Sequence, residues 1–379
     1  MVKLRDNRPE NDKPVKVERL SSLDAVRGVI LLLFIGAGFG MKEILRDPRW
    51  NWVTNQWDHR PWDGCTLWSL LLPAMLFCVG VGMPYSYANR QAKGQGWPWQ
   101  FLHALIRASL LLLIGIYLDS YDKNKLVFDL RSDLQQIGLA YLLAFLVVPL
   151  GLAAQGVSVG FFLIGHTAAH VLHSFAAGND LWIQANNIDT VLDGLMRFGP
   201  DSGHHITLGV ISSAAVILCG SLVGGLIKSG VVPGIKVAIM TALSFILIFL
   251  GWALSGGGGV IDVTWFAVIP MNRRLVTWTF AMTSVGWTML FFTYFYLLMD
   301  AFGVQFWAVP LAVIGRNPLF VYVSYRLFHE WAQRSAGLVL PTAPALANTL
   351  RPLFIALLVM FIFWLLCFWL YRRRIFFKV

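Results

Sequence analysis

His59 and Trp62 stand just ahead of a long apolar run in the stretch NQWDHRPWDGCTLWSLLLPAMLFCVGVGMPY (55–85), with Asp58, Asp63 and Gly64 beside them. An imidazole titrates close to neutrality, and a neighbouring carboxylate can orient one ring nitrogen for proton abstraction. At the mouth of a membrane helix such a base would meet a polar substrate from the water side, with Trp62 shaping the site. A lone loop histidine is also a common surface residue, and these residues by themselves leave both readings standing.

Polar groups inside apolar segments are costly, so each is a candidate for ligand contact. Asp24 and Arg27, in RLSSLDAVRG, share a helix face at i, i+3 and suit an ion pair at the inner interface; Arg27 could also meet the phosphates of an anionic ligand. Arg316 and Asn317, in VIGRNPLFVY, fall near the middle of an apolar run in which Pro318 predicts a kink. At that depth an arginine requires a partner or a water-filled cavity. Asn272, Arg273 and Arg274 precede another run and read either as interfacial anchors or as ligand contacts. His166, His170 and His173 lie on one stripe at i, i+4, i+7, but no carboxylate or cysteine accompanies them in sequence and no metal is expected. The adjacent His204 and His205 receive no role.

The elements that must hold these groups are membrane helices. The 379 residues are 57% hydrophobic and 13% charged, with a mean hydropathy of +0.64, too apolar for an ordinary water-soluble fold. A crossing helix needs about 20 mostly apolar residues. Such runs recur near 24–40, 66–87, 101–119, 134–153, 157–173, 206–229, 233–254, 275–299, 307–328 and 352–371, the first, third and fifth being short. The runs are continuous rather than alternating, which argues against a β-barrel. The expected fold class is therefore all-α, a polytopic bundle of about ten or eleven spans forming one domain over 21–379.

The charged segment 1–20 reads as a disordered tail rather than a secretory signal, and the first helix as an uncleaved anchor. Six Lys/Arg precede residue 20, and Arg372, Arg373, Arg374 and Lys378 close the sequence, so both termini are expected in the cytoplasm. The net charge of +10 then reflects topology and anionic lipid rather than nucleic acid. Four scattered cysteines, without a CxxC pair, support neither a zinc site nor a disulfide framework. The longest stretch between spans, 174–205, carries Asp180, Asp189, Asp193 and Asp201 against Arg197; it reads as a solvated loop, or as one that attracts a cationic acceptor. The run SGGGG at 255–259 and the short apolar piece after it, to 269, read as re-entrant or interfacial.

Taken in order, these pieces resemble the heparan-α-glucosaminide N-acetyltransferase family of transmembrane acyltransferases and its bacterial relatives. RLSSLDAVRG (19–28) looks like the family's opening R-x-x-S-x-D-x-x-R-G signature. His59-x-x-Trp62-x-Gly64-x-Thr66, with Pro73 downstream, looks like its H-x-x-W-x-G-x-T…P segment, whose histidine is the proposed catalytic residue. LQQIGLAYLL (134–143) is similar to its L-Q-R-I-x-x-x-Y-L-L helix. Asn272 to Thr277, ending in Gly286-Trp287, is similar to its N-K-x-L-W-T…G-W stretch, and Gly315-Arg316-Asn317-Pro318-Leu319 to its G-x-N-x-L segment.

The resemblance implies an acyl-CoA-dependent N- or O-acyltransferase of the bacterial inner membrane. Acetyl-CoA or another acyl-CoA enters from the cytosol, and a carbohydrate or amine acceptor is met on the other side. Its implied sites are His59 as base, with Asp24, Arg27, Trp62, Asp63, Asn272, Arg273, Arg274, Arg316 and Asn317 as binding residues, and no metal. Membrane lipids are the remaining partners, nucleic acid is not one, and a homodimer is left open. Four positions depart from the family pattern: Ser69 for an aspartate, Gly36 for an asparagine, Gln136 for an arginine and Val276 for a tryptophan. A transporter or flippase of a glycan or lipid precursor is the alternative that Arg316 and residues 256–259 favour. A catalytically silent scaffold is the one that Ser69 and Gly36 favour.

Overall fold

The computed structural model describes residues 20–59, 62–126, 132–178, 182, 187–195, 208–256, 269–339 and 345–377. The tail, Arg60, the glycine-rich residues from 257 to 268, Asp180, Arg197, Asp201, His204, His205, Lys378 and the side chain of Asp193 lie outside that description. In chain order the helices are α1 (Ser21–Gly36), α2 (Met41–Ile44), α3 (Asn51–Thr54), α4 (Leu67–Ala92), α5 (Trp97–Asp122), α6 (Asp133–Val147) and α7 (Leu152–Ala177). They continue as α8 (Ile188–Leu195), α9 (Gly209–Lys228), α10 (Pro233–Leu254), α11 (Trp278–Tyr296), α12 (Val309–Gly315), α13 (Pro318–Val339) and α14 (Ala345–Arg372). Among the described residues no strand occurs. Among these residues nine segments are long and apolar enough to cross a membrane, and the pair α12–α13, bent by 65°, makes a tenth if taken as one span. The fold is an all-α polytopic bundle, as the sequence leads one to expect.

Local chemistry sets the helix ends. The Thr66 hydroxyl accepts the Ser69 N–H at 3.3 Å and caps α4. Ser132 and Gln135 form a reciprocal capping box on α6. Pro98 and Pro233 occupy the first turns of α5 and α10, where their missing N–H costs nothing. Asp300, just beyond α11, accepts the N–H groups of Ser21 and Ser22 at 3.3 and 3.2 Å, so α1 is capped by a carboxylate from the far end of the sequence. Helices α5 and α7 each run 26 residues, well beyond the apolar runs at 101–119 and 157–173. The extra turns carry Asp122 and Gln155, which an apolar-run reading leaves out.

Exposure separates the lipid face from the core. Helix α10 turns Ile235, Leu243, Phe245, Ile246 and Phe249 outward, and α7 turns out Val157, Phe161, Ile164, Leu172 and Phe175. In α9, 72% of the most apolar window is buried, against 17% in α7 and α10, which makes α9 the hub of the bundle. It meets α4 backbone to backbone. A methyl group at Gly80 would overlap the Ile217 carbonyl, one at Gly220 the Phe77 carbonyl, and one at Gly224 the Val81 carbonyl. Small residues at four-residue spacing let membrane helices approach this closely. Helices α1 and α12 cross in the same manner, at Gly28 and Gly315.

Gly80→Val should therefore lower the thermal stability of the detergent-purified protein, by roughly the 1–3 kcal/mol typical of overpacking. Gly160→Val, on α7 with nothing within 4 Å, should not lower it. Paired melting curves read the difference.

Candidate functional site

Two chambers lie along the shared wall of α1, α4, α5 and α6. The first, about 200 Å³, sits toward the face that carries the start of α1 and is lined by Arg27, Arg90, Arg107, Ser86, Tyr87 and Tyr141. The second, about 120 Å³, is lined mainly by apolar groups such as Leu71, Met75 and Leu111, with Asp133 and Tyr322 in its wall. Val79 and Arg107 border both, so a basic vestibule adjoins an apolar chamber that extends toward the opposite face. Arg27 Nη2 donates to the Cys78 carbonyl at 2.8 Å, and Gly82 leaves room for its guanidinium. The Arg107 guanidinium lies 4.6 Å above the Tyr141 ring.

At the opposite, far face the His59 segment is tied to the cap of α4. Thr66 Oγ1 donates to the Asp58 carbonyl at 2.7 Å and lies 2.8 Å from Ser69 Oγ. The Asp58 carboxylate meets Lys42 Nζ at 2.5 Å and the His59 main-chain N–H at 3.0 Å, and the Lys42 hydrogen bond holds its carboxyl below the usual range. His59 is exposed, with its ring 6.3 Å from that of Trp68, and it lines neither chamber. Trp68 lies one helical turn ahead of Leu71 and Leu72 of the apolar wall. Trp62 Nε1 donates to the Trp182 carbonyl at 2.9 Å and packs with Trp182, Ile269, Leu275 and Trp278. Asp63 is exposed, and partial burial raises its carboxyl. Burial pushes the nearby Cys65 thiol up to about 12, so it is no thiolate nucleophile at neutral pH.

The turn before α11 separates its three candidates. Asn272 is fully buried: its Oδ1 accepts the Leu275 N–H at 3.0 Å and its own N–H donates to Thr277 Oγ1 at 3.0 Å. Its work is to fold the turn, and Gly64 joins that turn through an N–H bond to the Met271 carbonyl at 2.9 Å. Arg273 points inward to within 4.0 Å of Asp133, a residue of the chamber wall. Burial pulls its guanidinium down, and the Asp133 charge opposes that pull. Arg274 is half-buried at the rim.

Arg316 and Asn317 need correction. They lie not at mid-depth but beside the first turn of α1, because α12 packs its last residue, Gly315, onto the Asp24 backbone. Arg316 Nε is 3.5 Å from Asp24 Oδ2, and the guanidinium lies 4.8 Å above the Tyr371 ring. Asn317 donates to the Ile375 carbonyl at 3.1 Å and accepts the Phe377 N–H at 3.0 Å, pinning the segment after α14. The kink expected from Pro318 is present, at the α12–α13 break.

Some site residues escaped the sequence reading. Arg107 interrupts the apolar run 101–119 and Arg326 the run 307–328, the same signal that drew attention to Arg316. Arg326 bonds the Tyr322 hydroxyl at 3.4 Å and pairs with Asp119, at 3.3 Å, and with Asp122. Nor are the α7 histidines without a carboxylate: the first turn of α8 brings Asp189 Oδ2 to 3.1 Å from His170 Nε2.

A scan against protein-family models gives no match, and a search of curated proteins gives none. The family resemblance therefore rests on the residues themselves. Three of its four departures have local work. Ser69 belongs to the α4 cap, and Gly36 lets the Phe39 ring close over α1, where a methyl would stand 2.7 Å from it. Gln136 Nε2 donates to Ser213 Oγ on α9 at 2.7 Å, and Val276 takes a positive φ of 51° in the turn before α11.

Arg326→Met would leave the poorly exposed Asp119 carboxylate without its guanidinium. A stability loss of about 2–3 kcal/mol is expected, below the figure for a fully buried pair. Adding Asp119→Asn should restore part of it, and a double-mutant melting cycle measures the recovery.

Proposed function

We propose that this integral membrane protein is an acyltransferase that moves an acetyl or other acyl group from acyl-CoA to an amine or hydroxyl of a sugar-type acceptor. In this reading the basic vestibule faces the cytosol of a bacterial cell and the His59 face lies outside the inner membrane. The observation that carries it is the junction of the two chambers at Val79 and Arg107. Arg27, Arg90 and Arg107 suit the phosphates of the nucleotide, for which guanidinium is the preferred partner. The apolar chamber suits the pantetheine arm and its acyl group.

The thioester would lie toward Asp133, Tyr322 and Arg273. The acceptor nitrogen or oxygen attacks its carbonyl, a C–N or C–O bond forms, and the C–S bond breaks to release CoA as its thiolate, which is protonated by water. His59 takes the acceptor's proton. Because His59 lines neither chamber, this role requires the His59 segment and the thioester end of the apolar chamber to come together when both substrates are bound. Asn272 and Asn317 act here as scaffolding and Trp62 as a wall of the far-face cap.

A second reading, carriage of an anionic amphiphile such as a glycan or lipid precursor, is favoured by His59 lining neither chamber. Thermal-shift titration with acetyl-CoA, longer acyl-CoAs and free CoA tests the first step, since a ligand of the native state must stabilise it. Arg90→Ala should weaken CoA binding by about 10- to 100-fold, the worth of one charge-assisted hydrogen bond. His59→Ala should keep the CoA-induced shift and abolish transfer. Absence of a shift with any thioester defeats the acyltransferase reading, and a shift without transfer by the unaltered protein favours carriage.

A further inference from the structure

Helix α7 buries four of its described residues, and two of them are histidines. The buried set is Gln155, Leu163, His166 and His170, while the large apolar side chains of the same helix face outward. A lipid-facing helix that seats two imidazoles against the protein in place of leucine or phenylalanine gives up apolar burial there. Something polar must repay it.

The third member of the group comes from another helix. Asp189, in the first turn of α8, is 0% exposed, alongside 1% for His166 and 3% for His170. Its Oδ1 accepts the Leu208 N–H at 2.9 Å, which fixes the carboxylate, and its Oδ2 lies 3.1 Å from His170 Nε2. One donor atom from each of the three residues falls within 4.8 Å of the others.

An imidazolium–carboxylate pair accounts for only two of these groups. Both ring nitrogens of His166 are buried without a well-formed hydrogen bond, and so are His170 Nε2 and Asp189 Oδ2 by hydrogen-bond geometry. The Leu275 main chain stands beside His166 and can orient that ring from outside, as a backbone carbonyl does for many metal-bound imidazoles. Buried atoms from three side chains, converging in this way, call for a ligand that accepts an electron pair from each. A second proton cannot do this, because it would place two imidazoliums in contact, their ring centroids being 4.7 Å apart. A divalent cation can. Two neutral imidazoles and one carboxylate make a borderline donor set, suited to Zn²⁺ and its neighbours rather than to Mg²⁺ or Ca²⁺.

We propose that His166, His170 and Asp189 bind a divalent transition-metal ion of the Zn²⁺ class at the far-face end of α7. Donors at bond lengths of about 2.0–2.2 Å in tetrahedral array stand roughly 3.3–3.5 Å apart. The His170–Asp189 spacing is already close to this, and the His166 ring closes the remainder by rotating about its side-chain torsions. The ion ties α7 to α8 and to the start of α9. Through the Trp182 ring, 5.0 Å from His170, and the Trp62–Trp182 hydrogen bond, it also steadies the segment that carries His59. The site stands independently of the acyltransferase reading, since its ligands border neither chamber.

The test uses the full-length protein purified without a polyhistidine tag, stripped with chelator, and titrated with Zn²⁺ and with Co²⁺. The unaltered protein should take up one ion per chain, show the visible absorption of tetrahedral Co²⁺, and melt at a higher temperature with Zn²⁺. His166→Gln and Asp189→Asn should each weaken binding by about 100-fold or more, taking the larger losses seen for outer-shell groups as a floor. His173→Gln, one turn away, should bind as the unaltered protein does. No bound ion and no thermal rise in the unaltered protein overturns the proposal, whether or not the variants fold. Equal binding by the unaltered protein and both ligand variants overturns it as well.

Discussion

The contact on which the bundle depends is the backbone-to-backbone approach of α4 and α9 at Gly80, Gly220 and Gly224. In a lipid surrounding, apolar side chains gain little by leaving the solvent, so close packing of small residues must hold helices together. Here it fixes one side of α4 against the most buried helix in the protein. The other side of α4 faces the cavities, where Leu71, Met75, Val79 and Gly82 supply the common wall of the two chambers. A larger residue at any of the three glycines would push that wall into the space it encloses. Stability and access to the site are therefore set by the same contact.

A second constraint is that charged groups drawn into such a bundle must find partners on other helices. Asp24 meets Arg316, and Arg326 meets Asp119. Lys236 donates to the Ile227 and Ser229 carbonyls at the end of α9, at 2.6 and 2.8 Å. That last arrangement satisfies open carbonyls and sets a cation at the negative end of a helix. Each pairing joins two helices at a definite height, which apolar side chains do less specifically. The broken span α12–α13 follows the same logic, because Pro318 removes a helical bond and Asn317 spends its amide on the C-terminal segment.

Much of the fold was legible in the sequence, since all ten apolar runs correspond to helices and Pro318 marked the break. Run length is a one-dimensional property and survives folding. What could not be read was depth and partnership. Arg316 looks central when counted along its run, yet a tight helix crossing at Gly28 and Gly315 draws it to the first turn of α1. Asn272 has the composition of a ligand contact, but its amide closes a turn. The carboxylate beside His170 is nineteen positions downstream, in a loop that reads as solvated. Arg107 and Arg326 were readable by the rule applied to Arg316, and attention to every charge in an apolar run would have found them.

The unequal ends of the chambers bear on what crosses the protein. Phosphates can reside among Arg27, Arg90 and Arg107, but moving them past Val79 would strip their solvation in a space lined almost wholly by hydrocarbon. Unpaired ions pay far more for such a transfer than uncharged groups do. An uncharged arm and its acyl group do not meet that obstacle. This asymmetry favours moving a group from a donor that stays at one face over carrying an intact anion between faces. It also locates the event on which the proposed chemistry turns: His59, which borders neither chamber, has to reach the far end of the apolar one when an acceptor arrives.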